Sequence, residues 1–71
     1  MKKERKQKIS FMLNNLVKAG ILTDWRTGGA GVWFLYYTVG GVPTVAPVHY
    51  YSYKHFCDEV DSITDEVLKH R

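Results

Sequence analysis

The 71-residue sequence predicts an α+β fold of order α-β-β-β-α, in which a three-stranded antiparallel sheet carries two helices on one face. Three observations predict it. Apolar residues recur at helical spacing at both ends of the chain. Between them lie three runs rich in aromatic and β-branched residues, and glycine-rich connections separate those runs. No linker, repeat or low-complexity tract interrupts residues 1–71, which read as a single small domain.

The first helix is drawn by Ile9, Met12, Leu13, Leu16 and Val17, an amphipathic stripe. Gly20 stands where a helix takes a left-handed closing residue, and Ile21 is placed for the hydrophobic contact of a Schellman turn. Residues 1–7 form a basic N-terminal segment without a clear cap, whose first residues are expected to fray. The strands are expected at "ILTDWRT", "VWFLYYTV" and "PTVAPVHYY". "TGGAG" makes the first connection and suits positive φ. "GG" between Val39 and Val42 matches a two-residue hairpin turn, which pairs Val39 with Val42, Tyr37 with Thr44, Leu35 with Ala46 and Trp33 with Val48. Pro43 and Pro47 cannot donate ladder bonds, so the third strand belongs at an edge and the second at the centre. Phe56, Val60, Ile63 and Val67 stripe the last helix, widened by Cys57 and Leu68.

Alternation sorts the strands into two faces. Trp25, Trp33, Leu35, Val39, Val48 and Tyr50 share the drier one, which should take both helices. Asp24, Arg26, Phe34, Tyr36, Val45, Pro47, His49 and Tyr51 share the other. Loops, the N-terminal segment or helix ends could cover this second face. Otherwise Phe34, Tyr36, Pro47, His49 and Tyr51 form a candidate protein interface, since exposed aromatics beside an arginine are typical of such surfaces. A homodimer is one form that partner could take.

Composition bounds the function. The net charge is +3, and Cys57 is the only cysteine. That excludes a disulfide within the chain and points to a reducing compartment. No signal peptide or membrane-length apolar run is visible, so a soluble cytoplasmic protein is expected. Charge is unevenly spread: residues 2–8, "KKERKQK", carry five bases and one acid, and "CDEVDSITDEVLKHR" carries five acids and two bases. A basic cluster is the footprint of a polyanion binder. Lys2, Lys3, Arg5, Lys6 and Lys8 are therefore candidate nucleic-acid contacts. Phe11, Asn14, Asn15 and Lys18 continue the row along the helix, because lysines reach phosphates and asparagines pair with adenine.

No catalytic signature is present. "TGGAGVW" lacks the lysine and Ser/Thr of a phosphate-binding loop and joins two strands instead of opening a helix. His49, His55, Cys57 and His70 match no familiar metal spacing. A non-enzymatic protein without cofactor or metal is expected.

"ISFMLNNLVKAGILTDWRTGGAGVWFLYYT", Ile9 to Thr38, resembles the recognition-helix-plus-wing half of winged-helix DNA-binding proteins. Leu13, Leu16, Gly20, Ile21 and Leu22 occupy its "LxxLxxxGIL" positions. The resemblance implies that Ser10, Phe11, Asn14, Asn15 and Lys18 face a groove, with Arg26 and Thr27 at the wing. Eight residues are too few for the helices that precede a recognition helix in that family. Double-stranded-RNA-binding domains share the α-β-β-β-α order, but there the last helix begins with basic residues. This sequence places Asp58, Glu59 and Asp61 near that point, so nothing is carried over. The two readings are an accessory or regulatory nucleic-acid-binding protein, and a protein-interaction module, inhibitor or adaptor, docking through the aromatic face.

Overall fold

A computed structural model describes residues 3–71, without the Lys3 side chain. The elements are α1 (Lys3–Lys18), β1 (Asp24–Thr27), β2 (Val32–Val39), β3 (Val42–His49) and α2 (Tyr53–Lys69). The sheet is antiparallel in the order β1-β2-β3, with β2 central. No described helix is long and apolar enough to cross a membrane.

Local chemistry sets the boundaries. α1 closes through a Schellman turn: the Ile21 N–H donates to the Leu16 carbonyl at 2.9 Å and the Gly20 N–H to the Val17 carbonyl at 3.0 Å. Gly20 has φ +78°, a conformation that costs glycine least. Ile21 and Leu22 pass directly from that turn into the core, at 8% and 2% exposure. They therefore precede the first strand, which begins only at Asp24. Gly40 (φ +56°) and Gly41 (φ +84°) make a turn with both central residues left-handed, which matches the twist of the hairpin it joins. The β2–β3 register follows from it, and all four expected pairs are present. In the other connection, positive φ falls on Ala30 and Gly31. α2 begins at Ser52, whose Oγ accepts from the His55 N–H at 3.1 Å.

Burial alternates along β2: Trp33, Leu35 and Tyr37 are buried, while Val32, Phe34 and Tyr36 are half-buried. Both helices pack on the Trp33–Leu35–Tyr37 side. The core joins Ile9 and Leu13 of α1 and Phe56, Val60, Ile63 and Val67 of α2 to Trp33, Leu35, Tyr37 and Val48 of the sheet. An aromatic chain ties the layers together. The Trp33 ring lies 5.5 Å from Trp25 and 5.9 Å from Phe56, and Phe56 lies 6.0 Å from Tyr50. The Trp25 indole N–H donates to Asn14 Oδ1 at 2.8 Å, fastening α1 over the β1 edge. Among the described residues, no polar or charged side chain is buried. Burial of each large apolar side chain is worth roughly 1.5–3 kcal/mol.

The two helices run parallel. At one end Lys6 of α1 adjoins Thr27, Gly28 and Gly31, and Arg5 and Lys8 reach Tyr50 and Tyr53 at the start of α2. At the other end Gly20 and Ile21 meet Gly40, Gly41, Val67 and Arg71. The Arg71 guanidinium donates to the Gly20 carbonyl there.

Candidate functional site

Parallel helices bring both of their N-termini to the end of the molecule where β1 meets β2. A helix N-terminus carries about half a positive charge; Glu4 lies in the first turn of α1, and Ser52 caps that of α2. The first turn of α2 contains no acid. Lys54 and His55 occupy it, and the acids begin one turn later, where Asp58 takes Lys54 in an ion pair of 3.2 Å. Lys54 was not among the sequence candidates. The signal for it was the N-cap: reading Ser52 as the start of α2 puts Lys54 in the positive first turn.

The basic cluster of α1 borders the same end. The Arg5 guanidinium lies 5.3 Å from the Tyr50 ring centroid, and Lys8 Nζ lies 4.3 Å from that of Tyr53. Such cation–π contacts hold the side chains in place while leaving their charges at the surface. The neighbouring Cys57 thiol, together with partial burial, raises the Tyr53 phenol above the ordinary value of 10.0. Lys6 lines a shallow cleft of about 170 Å³ with Thr27, Gly28, Gly31, Val32 and Trp33. Lys2 and the side chain of Lys3 lie outside the described residues.

Further along α1, Phe11 is 70% exposed. It flanks an open groove of about 540 Å³ with Lys6, Gln7, Ser10 and Asn14. Asn14, Asn15 and Lys18 are exposed on the same helix. Asn14 has already committed its oxygen to Trp25. A bidentate adenine contact needs both amide atoms, which the contact with Trp25 denies to Asn14.

Arg26 does not join this surface. It alternates with Trp25, which packs among the core residues, and so points from the opposite face of the sheet. There Arg26 stands across from Phe34, which in turn faces Pro47. Asp24 stands across from Tyr36, and Tyr36 faces Val45. Arg26 Nε lies 3.8 Å from Asp24 Oδ2. His49 and Tyr51 stack at 6.3 Å between ring centroids, and Tyr51 meets His55 edge-on at 5.1 Å. The candidate interface residues are thus contiguous, with Val45 and Asp24 belonging among them.

No group of three or more His, Cys, Asp or Glu that could hold a metal occurs among the described residues. Comparison of the chain with protein-family models, with curated protein sequences and with solved structures finds no match to any of them.

Proposed function

We propose that this protein binds nucleic acid without catalysing a reaction, as an accessory or regulatory factor, through the end where the helix N-termini converge. The observation that carries the reading is that convergence, with Arg5, Lys6, Lys8 and Lys54 around two positive helix ends. Lysine and arginine neutralise phosphates and release condensed counterions, which supplies affinity independent of sequence. Cations already ordered over Tyr50 and Tyr53 lose less side-chain entropy when a phosphate arrives. Phe11, Asn15 and Lys18 extend the surface along α1, offering a ring for stacking, an amide for base edges and a further cation.

Fluorescence anisotropy of labelled duplex RNA, duplex DNA and single-stranded oligonucleotides over a range of salt tests the reading. The logarithm of the binding constant should fall linearly with that of salt, by roughly 0.7–0.9 per phosphate contacted. Replacing Lys2, Lys3, Arg5, Lys6 and Lys8 together with glutamine should abolish binding, a loss of at least about a hundredfold at moderate salt. Binding that survives those substitutions would place the surface elsewhere.

A further inference from the structure

Both helices pack on the Trp33–Leu35–Tyr37 side, so neither covers the second face of the sheet among the described residues. Phe34 and Tyr36 lie at its centre, and Val45 is 50% exposed beside them. Pro43 and Pro47 continue the apolar surface on β3.

The edges of the sheet narrow the ways a partner could use it. Tyr50 N–H donates to the Gly31 carbonyl at 3.0 Å, so ladder bonds between β3 and β2 fall at Tyr50, Val48, Ala46, Thr44 and Val42. Residues 43, 45, 47 and 49 therefore turn outward, and two of those four are prolines with no N–H. On the other edge the Gly28 N–H donates to Val32 at 2.9 Å, which turns Trp25 and Thr27 outward. The Trp25 N–H is already taken by Asp24 Oδ1 at 2.8 Å. Both edges are poor templates for an added strand. An occupant of this face must lie flat on it.

Charge narrows the choice again. Among the described residues, the fixed charges of the face are Asp24 and Arg26, opposite in sign and 3.8 Å apart. Such a surface has no cation excess to attract phosphate or an acidic membrane. It also lacks a net charge that would repel its own copy, and a two-fold interface must be complementary to itself.

We infer that the Phe34–Tyr36–Val45–Pro47 face is the contact of a homodimer, two sheets packed face to face. At ~4.8 Å between strands and ~3.4 Å per residue the face spans roughly 350 Å² of flat area, and side-chain relief enlarges what a partner covers. Two copies together bury on the order of 1,000 Å², the lower limit of specific interfaces. The dimer is accordingly weak and concentration-dependent, with dissociation in the micromolar range or above. Association adds burial to a small domain, which alone buries only about 60% of the surface its unfolded chain exposes.

Sedimentation equilibrium from micromolar to near-millimolar protein tests this. The average mass should rise from 8.2 kDa toward twice that value, with little response to salt. Val45→Glu alters an exposed side chain outside the core and should weaken the dimer at least tenfold, with an unchanged circular dichroism spectrum. Independently of any variant, dilution of the wild-type protein should shift amide resonances on β2 and β3 around Phe34, Tyr36, Val45 and His49. A monomer at every concentration overturns the inference, as do dilution shifts confined to α1 or α2. The outcome separates from that of nucleic-acid binding: Val45→Glu keeps its affinity for a short oligonucleotide, and the five-residue glutamine variant still dimerises.

Discussion

Gly28 and Gly29 are neighbours in the sequence and unlike in the structure. A Cβ on Gly28 would stand 2.6 Å from Val32 Cγ1 and 2.7 Å from Phe34 Cε2, whereas one on Gly29 would meet nothing within 4 Å. The absence of a side chain at Gly28 thus leaves the space that Val32 and Phe34 occupy. Gly28→Ala should force both side chains aside, at a cost of about 1–3 kcal/mol typical of overpacking. Gly29→Ala should be neutral or stabilise by about 0.4–1 kcal/mol, because it only stiffens the unfolded chain. Urea denaturation of the two variants measures the contrast, and equal effects would refute the contact. "TGGAG" announces a loop but cannot tell these residues apart. What distinguishes them is Phe34, which reaches back across the β1–β2 pair.

Whole elements were more legible where a local rule sets them. The Ile9–Val17 stripe, the Gly20 closure and the Gly40–Gly41 turn each depend on residues a few positions apart, and each formed as the spacing demanded. The first strand is shorter than its pattern predicts, because Ile21 and Leu22 satisfy a strand pattern as well as they satisfy the hydrophobic exit from a Schellman turn. The start of α2 was legible in principle. Ser52 precedes the Phe56–Val67 stripe, but His55 stands where a capping box would have Glu or Gln, so the signal is incomplete. Removing the hydroxyl in Ser52→Ala leaves the His55 N–H without its acceptor. The expected loss is about 1 kcal/mol, read as a lower urea midpoint at unchanged slope. Ser52→Asp should restore most of it, since an aspartate caps as well and favours the positive helix end. Failure of Asp to recover the midpoint would mean that Ser52 acts through something other than the cap.

At the scale of the molecule, contacts between residues far apart in the chain decide the candidate surfaces. The "KKERKQK" run advertises charge, but only the folded chain sets Arg5 over Tyr50 and Lys8 over Tyr53, or divides Arg26 from the other cations. The same scale governs stability. A single core in a domain this short supplies roughly 3–5 kcal/mol in all. Leu35 is fully buried at the centre of β2, and its truncation to alanine costs about 2–5 kcal/mol. Leu35→Ala should therefore be largely unfolded at room temperature in dilute solution, by circular dichroism. Phe11→Ala, on a side chain 70% exposed, should stay within about 0.5 kcal/mol of wild type. Association modifies this balance, because whatever binds only the native state stabilises it by mass action. If two copies cover each other's open faces, the urea midpoint of the wild-type chain must climb as protein concentration rises, and that of Val45→Glu must stay flat. A wild-type midpoint indifferent to concentration would mean that the two-layer monomer alone carries the stability, with Phe34 and Tyr36 left to water.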